Sequence, residues 1–159
     1  MRAQRALVFG VVGALAISAF SLVLRRLGIP IRLELLLGTS FGLRPTVPAF
    51  VVGLAMHLAI GGAFGLLYGW LFETVWKHGG ASTGMILGVI HAALIGMAVG
   101  LTPSFHPLVP QQLPDPGPFF ANAGAWGVIT FFAVHVLYGA IVGRGYGHVR
   151  AEREWAPST

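Results

Sequence analysis

Residues 47–72 read VPAFVVGLAMHLAIGGAFGLLYGWLF, an apolar run that contains no Asp, Glu, Lys or Arg. A helix of about 20 mostly apolar residues crosses the hydrocarbon core of a bilayer, so this run predicts a transmembrane helix. Three further runs meet the same criterion, at residues 6–24, 81–101 and 119–143. The sequence therefore predicts an all-α, polytopic membrane protein in which four transmembrane helices form one membrane domain.

The composition of the whole chain agrees with a membrane location. Only 9% of the 159 residues are charged, 55% are hydrophobic, and the mean hydropathy is +0.78. A soluble domain carries roughly a quarter charged residues, so lipid must cover much of this surface. The absence of cysteine excludes disulfides and thiol nucleophiles. The net charge of +5 is not gathered into a basic patch interleaved with aromatic residues, so we predict no nucleic-acid partner.

The first apolar run is similar to a secretory signal peptide, but we expect it to be retained as a span. Arg2 and Arg5 precede it, and Ala14-Leu15-Ala16 resembles a cleavage site. However, the run continues to Leu24, which is longer than the apolar region of a signal peptide, and a double arginine closes it.

The distribution of positive charge predicts that both termini are cytoplasmic in a multi-pass protein of the cell (inner) membrane. With four spans the termini share one side, and basic residues are more frequent on the cytoplasmic side of membrane proteins. The side of the termini holds Arg2, Arg5, Lys77, Arg144, Arg150 and Arg153, whereas the other side holds Arg25, Arg26, Arg32 and Arg44. Trp70, Trp76 and Tyr146 are then expected at the cytoplasmic interface, where amphipathic rings are common.

Two connecting segments have unusual compositions. Residues 25–46, RRLGIPIRLELLLGTSFGLRPT, are too charged to span and too apolar for a free loop, so we predict a segment lying in the membrane interface. Residues 102–118 hold six of the ten prolines and predict a stiff, extended, non-helical loop on the extracytoplasmic side. Residues 144–159 form a polar tail.

The second and third spans carry small residues every four positions. Residues four apart lie on one face of a helix, and small residues there let two helices approach closely in lipid. These glycines are predicted to form helix-packing faces. Such faces on more than one helix exceed what one small bundle needs, which favours other membrane subunits, or a second copy, as partners. The packing residues are Gly53, Gly61, Gly65 and Gly69 in the second span and Gly84, Gly88, Gly96 and Gly100 in the third.

Three histidines lie within three different spans: His57, His91 and His135. A polar side chain inside a span usually faces the bundle interior or marks a functional site. One interpretation is hydrogen bonding to a neighbouring helix, with Thr130, Tyr68 and Tyr138 as available partners. Another is axial ligation of a haem or a chlorophyll-type pigment by His57 and His91, with His135 less favoured. A third is a metal ion bound by the histidines together with Met56 or Met97. A fourth is proton relay by the histidines.

The depth of each histidine follows from the helical rise of about 1.5 Å per residue. Counted from the outer ends of the predicted spans, His57 lies about 12 Å deep, His91 about 15 Å and His135 about 21 Å. We therefore expect His57 and His91 to be level and His135 to lie a turn or more deeper. The pattern His-x3-Gly-x3-Gly occurs at residues 57–65 and again at 135–143, which is the basis for a hypothesis of tandem duplication of a two-helix unit.

His106 lies in the proline-rich segment, in Ser104-Phe105-His106-Pro107. A histidine in a loop is usually solvated, and if the loop docks a partner, His106 is the expected contact or pH-sensitive group. No carboxylate lies inside a predicted span, which disfavours an ion-coupled transporter. The spans contain no nucleophile beside a base and no G-x-S-x-G or HExxH motif, so we do not predict an enzyme.

Two motifs fall in and before the second span: Gly28-Ile29-Pro30 with Leu36-Leu37-Gly38-Thr39, and His57-x3-Gly61-x2-Phe64-Gly65-x2-Tyr68. In these motifs the chain resembles a family of small, uncharacterised bacterial and archaeal four-helix membrane proteins. The resemblance covers mainly residues 28–69. It implies a membrane location and no particular activity, cofactor or partner.

The predicted function is that of a non-catalytic accessory or structural subunit of a larger membrane complex, packing through the glycine-rich faces. Two alternatives remain. One is a haem- or pigment-binding subunit for electron transfer or light harvesting, which would use the histidines of the spans. The other is a small channel or transporter, which the uncharged spans disfavour.

Overall fold

The structure, a computed structural model, describes residues 1–29 and 31–149. In this part of the chain it is all helical, with no strand. Four helices are long and apolar enough to span a membrane, so the predicted fold of a multi-pass membrane protein is confirmed. They are α1 (Ala3–Arg26), α3 (Val47–Thr74), α4 (Ala81–Val99) and α6 (Ala125–Tyr146), and between them lie α2 (Leu33–Thr39), α5 (Thr102–Phe105) and a 3₁₀ segment, Pro118–Ala123. Pro30, which is part of the family resemblance, lies outside the described residues. So do residues 150–159 of the predicted tail, which include Arg150 and Arg153.

The fourth span begins later than predicted, at Ala125 and not at residue 119. Phe119 and Phe120 have φ angles of 55° and 59°, outside the α-helical region, and Gly124 before the helix has a φ of 78°. Glycine adopts this left-handed conformation at no steric cost, so Gly124 separates the 3₁₀ segment from α6. The apolar composition of the 3₁₀ segment concealed this break.

Helices α1 and α3 pack through glycine. A Cβ atom added to Gly10 would collide with the carbonyl oxygen of Gly61 and lie 2.9 Å from the Cα of Gly65. A Cβ atom on Gly65 would in turn collide with the carbonyl oxygen of Ala6. The two backbones are therefore in direct contact, as the small-residue face predicted for Gly61 and Gly65.

Helices α4 and α6 form a second glycine-packed pair. Added Cβ atoms on Gly84 and Gly139 would each collide with the other residue's carbonyl oxygen. One turn further along, Gly143 meets the carbonyl oxygen of Gly80, and Gly88 meets that of His135. The predicted packing role of Gly84 and Gly88 is thus filled by α6 of the same chain.

The two pairs join along one side only. Helix α1 packs along α6, where Gly13 lies against the ring of Tyr138. Helices α3 and α4, by contrast, touch each other little. The four spans therefore follow the order α3, α1, α6, α4 and leave a gap between α3 and α4.

Helix α2, which the sequence predicts to lie in the membrane interface, packs tightly on α3. Gly38 sits directly on the carbonyl group of Ala49, and Gly53 sits on the backbone of Glu34. The Glu34 side chain is only 1% exposed and forms an ion pair with Arg25 at 2.9 Å. Its Oε1 atom has no hydrogen-bond partner among the described residues. Close packing on α3 and an ion pair with a buried carboxylate therefore together hold α2 to the bundle.

The proline-rich segment is folded back on α2, which corrects the prediction of an extended, non-helical loop. It starts with helix α5, and Leu108, Val109 and Leu113 are buried within it. Leu35 and Leu36 of α2 pack against these three side chains. The apolar residues between the prolines form a small core of their own, because the removal of apolar side chains from water lowers the free energy.

The residues at the N-terminus meet the end of α6 at one end of the bundle. The backbone N–H of Arg2 donates to the Tyr146 hydroxyl at 3.1 Å, and that hydroxyl donates to Glu73. The Arg2 guanidinium also donates to the carbonyl oxygen of His148 at 2.8 Å. Tyr146 is fully buried, which corrects its prediction as an interfacial ring, whereas Trp70 is 49% exposed. The residues near both termini thus lie on the same side, as an even number of spans requires.

Candidate functional site: a histidine-lined cavity

A cavity of about 270 Å³ occupies the gap between α3 and α4. Helices α2 and α5 cover one end of it. Apolar side chains form most of its wall, and Ile60 and Phe105 in that wall are 40% and 69% exposed, so the cavity is open to the lipid-facing surface. Its polar lining includes His57, His91, His106, His135, Tyr138, Ser40 and Thr102.

His57 is held by α1. Its Nδ1 atom lies 2.9 Å from the Ser18 hydroxyl in a buried contact between α3 and α1. The close approach of these helices at Gly61 brings the two side chains within reach. Ser18 is thus a partner across helices, although serine in a span commonly bonds its own backbone.

His91 is enclosed by aromatic rings. Its Nδ1 atom lies 3.3 Å from the Tyr68 hydroxyl, one of the partners predicted for the histidines. The Phe64 ring stacks on it with centroids 4.0 Å apart, and the Tyr138 ring lies 5.8 Å away, edge on. The hydrogen bond and the stacking fix the orientation of the imidazole.

His135 lies beside His91. The two ring centroids are 5.0 Å apart in an edge-to-face arrangement, although the His135 carbonyl oxygen lies against Gly88, about one turn from His91 in α4. The later start of α6, at Ala125, shortens the count of residues from that end of the span to His135. The Nδ1 atom of His135 donates to the Phe131 carbonyl oxygen at 2.7 Å, within its own helix. Thr130 is buried but forms no hydrogen bond to a histidine among the described residues.

The three span histidines share one arrangement of their ring nitrogens. In each ring Nδ1 is engaged by the protein, by Ser18, Tyr68 or Phe131 respectively. None of the three Nε2 atoms has a hydrogen-bond partner among the described residues, and none is sealed off within the protein. Since all three rings line the cavity, the Nε2 atoms are polar groups at its wall that have no protein partner among the described residues.

His106 is a buried structural group, which corrects its prediction as a solvated or partner-contacting residue. It is 5% exposed, and its Nδ1 accepts the backbone N–H of Leu108 at 3.2 Å. Its Nε2 donates to the Leu36 carbonyl oxygen at 2.9 Å and contacts the Thr39 hydroxyl at 3.3 Å. His106 therefore ties the proline-rich segment to α2 and closes the outer end of the cavity.

The remaining predicted packing residues have different partners. Gly53 contacts α2, and Gly69 contacts Ala6 and the Tyr146 ring. Gly96 and Gly100 lie under Phe119 and Pro118 of the 3₁₀ segment and not against another span. The glycine faces are consequently used within the chain, which removes the observation that favoured a large partner.

The arrangement limits the chemistry of the site. No group of three or more His, Asp or Glu side chains in residues 1–29 and 31–149 is placed to hold a metal ion. Met97, one of the two methionines considered as a ligand, is 55% exposed and does not line the cavity. The cavity supplies neutral hydrogen-bonding groups in an apolar wall, which suits binding of a lipophilic molecule.

The sequence did not identify the Arg25–Glu34 pair or the role of Ser18. A signal was present, because Ser18, Ser21 and Arg25 lie three and four residues apart and so share a face of α1. All three face the bundle, where Ser18 and Ser21 are buried.

No protein-family model matches the sequence, and no significant match is found among curated proteins or solved structures. The resemblance over residues 28–69 therefore stays a prediction.

Proposed function

We propose that this protein is a non-catalytic protein of the cell (inner) membrane that binds a lipophilic ligand in the cavity between α3 and α4. One observation carries the proposal. Three histidines from three spans line one largely apolar cavity, with each ring held at Nδ1 and with no hydrogen-bond partner at Nε2 among the described residues.

Energetics favour a bound molecule at this position. A polar atom in the hydrocarbon region without a hydrogen-bond partner costs free energy, so polar groups in spans face partners or functional sites. The cavity volume of about 270 Å³ is near the lower end of the range of ligand pockets. It has room for a head group and the first part of a chain, and the exposed Ile60 marks the side on which the chain would pass into lipid.

The role of accessory subunit remains a proposal with less support. The glycine faces from which it was predicted are filled by the chain's own helices and loops. An association with other membrane subunits, or with a second copy, would have to use the exposed apolar surface that lipid also covers. Cytoplasmic termini likewise rest on the distribution of basic residues.

Axial ligation of a tetrapyrrole by His57 and His91 stays the alternative proposal, with less support. The His91 ring is enclosed by its neighbours, because it contacts the His135 ring edge to face with centroids 5.0 Å apart. Phe64 stacks on His91 in addition. We expect the purified protein to be colourless, and a Soret or near-infrared absorption band would contradict this expectation.

The test of ligand binding is to fill the cavity. Ala98 lines it, and the Ala98→Phe variant places a ring in the space. Ala59 on α3 is also exposed but does not line the cavity, so Ala59→Phe is the matched control. Protein purified from native membranes is extracted with organic solvent, and retained lipophiles are quantified per protein molecule by mass spectrometry.

We expect a near-stoichiometric lipophile with the wild type and with Ala59→Phe, and its loss with Ala98→Phe. If the wild type retains only bulk lipid in bulk proportions, or if Ala98→Phe retains the same molecule at the same level, the cavity is not a binding site.

A further inference from the structure

We propose that the ligand is a lipid alcohol whose hydroxyl group is bound between His91 and His135. This inference rests on the proposed function of the cavity and adds the chemical class of the ligand. It follows from the hydrogen-bonding state of each Nε2 atom, which the partner at Nδ1 determines in a neutral imidazole.

His135 offers a hydrogen-bond acceptor. Its Nδ1 contacts a backbone carbonyl oxygen, that of Phe131, at 2.7 Å. A carbonyl oxygen can only accept, so Nδ1 carries the proton and Nε2 of the neutral ring carries a lone pair. The ligand must therefore supply a donor to this nitrogen.

His57 and His91 offer donors. The Ser18 and Tyr68 hydroxyls are buried, and the histidine Nδ1 atoms are their only hydrogen-bond partners among the described residues. A buried hydroxyl proton needs an acceptor, so each hydroxyl donates to Nδ1. The proton of each imidazole is then on Nε2, which donates toward the cavity.

The donor of His91 and the acceptor of His135, whose ring centroids are 5.0 Å apart, are the complement of one alcohol oxygen. A hydroxyl group has one proton to donate and two lone pairs that accept. An ether, an aldehyde or a quinone carbonyl only accepts and would leave the His135 lone pair unpaired. A carboxylic acid also has a hydroxyl, but ionised groups at this depth are expensive, whereas an alcohol stays neutral.

The apolar part of the ligand has a route into the bilayer. The cavity wall next to the histidines consists of side chains such as Ile60, Phe64 and Ile95, and Ile60 is 40% exposed. A hydrocarbon chain can therefore leave the cavity between α3 and α4 without crossing a polar surface. A soluble alcohol with a short chain would gain little from this wall.

The experiment compares four probes of equal chain length: hexadecanol, its methyl ether, hexadecanal and hexadecanoic acid. Each competes with radiolabelled hexadecanol for binding to the full-length protein in detergent micelles. We expect the alcohol to bind at least about fivefold more tightly than the ether and the aldehyde, because an unpaired buried acceptor costs about 1–3 kcal/mol. The acid is expected to bind more weakly than the alcohol at neutral pH.

A variant tests the assignment of the acceptor. His135→Leu removes it, so the preference for alcohol over ether should fall to about onefold, with folding checked by thermal melting. Ala59→Phe, away from the cavity, should keep the preference.

The outcomes separate the two proposals. Equal binding of alcohol, ether and aldehyde to the wild type would overturn the hydroxyl assignment and leave the cavity as a general lipophile site. Tighter binding of the acid would also overturn it, because the head group would then be a carboxyl. If none of the probes binds and no lipophile is retained from native membranes, the proposed function fails as well.

Discussion

The two helix pairs of this protein, α1–α3 and α4–α6, are packed by equivalent glycine contacts. The pairs join through α1 and α6, whereas α3 and α4 leave the cavity between them. In the pair α1–α3, Gly10 sits on Gly61 and Gly65; in the pair α4–α6, Gly84 sits on Gly139 and Gly143. The carbonyl oxygens that meet the last glycine of each pair belong to Ala6 and Gly80. Corresponding residues are 74 positions apart between α1 and α4 and 78 positions apart between α3 and α6, which supports the hypothesis of a repeated two-helix unit.

The pairs differ in what surrounds the equivalent histidines. His57 and His135 occupy the same place in the repeat, but the residue that corresponds to Ser18 is Ala92. His57 therefore bonds across to α1, whereas His135 turns to its own helix at Phe131. Ser18 has a hydroxyl group where Ala92 has none. By the assignment above, the Nε2 atom of His57 is therefore a donor and that of His135 an acceptor. The two pairs thus share their glycine packing, and the positions at which they differ determine the groups that line the cavity.

A second difference is the position of α2. The pair α1–α3 is covered at its outer end by α2, which is held through Glu34 and Arg25. The pair α4–α6 is covered there by the 3₁₀ segment, in which Phe119 and Phe120 pack with Phe131. Helix α2, together with α5, bounds the cavity between α3 and α4, whereas the 3₁₀ segment does not line it.

The largest expected effect comes from breaking the Arg25–Glu34 ion pair between α1 and α2, which has no counterpart in the pair α4–α6 among the described residues. Arg25→Met leaves the Glu34 carboxylate buried without its partner, and such a change costs about 3–5 kcal/mol of stability. The measurement is thermal or denaturant unfolding in detergent. Arg26→Met is the matched control, because Arg26 is the exposed neighbour in the same helix.

A double variant sharpens the result. Arg25→Met combined with Glu34→Leu removes both charges, so most of the lost stability should return. If Arg25→Met is no more harmful than Arg26→Met, the buried ion pair does not hold α2 in place.

The next effect tests the equivalence of the two glycine contacts. Gly65→Ala and Gly143→Ala each push a methyl group into a backbone carbonyl, so each should lose about 1–3 kcal/mol. Gly62→Ala is the control, because its Cβ atom would lie 2.9 Å from the end of the flexible Leu7 side chain. The control should be neutral or gain about 0.5–1 kcal/mol from helix propensity. A loss at only one of the two test positions would show that the pairs are not equivalent.

The spans and the helix-packing glycines were predictable because each depends on a local periodic pattern. A run of apolar residues at 47–72 and small residues every four positions leave few alternative structures. The predicted start of the fourth span was wrong because Phe119 and Phe120 are as apolar as a helix interior, and only their backbone angles exclude them.

The site was harder to predict than the fold. The histidines of the spans were identified, but not which of them meet, because this depends on helix ends and on rotation about the helix axes. The burial of Glu34 and of His106 follows from how α2 packs on α3 and how the proline-rich segment returns to α2. These are contacts between residues distant in sequence, and no local pattern encodes them.

The smallest effect concerns the hydrogen bond that distinguishes the two histidines of the repeat. Ser18→Ala removes the hydroxyl that donates to His57, and hydrogen bonds between membrane helices average about 0.6 kcal/mol. A double-mutant cycle with His57→Gln isolates this contact, and we expect a coupling energy of about 0.6 kcal/mol from unfolding in detergent. His135→Gln combined with Ser18→Ala is the control cycle, and because Ser18 does not contact His135, we expect additive effects. Coupling of equal size in both cycles would mean that Ser18 acts through general packing of α1, and the contrast between the two imidazoles would lose its physical basis.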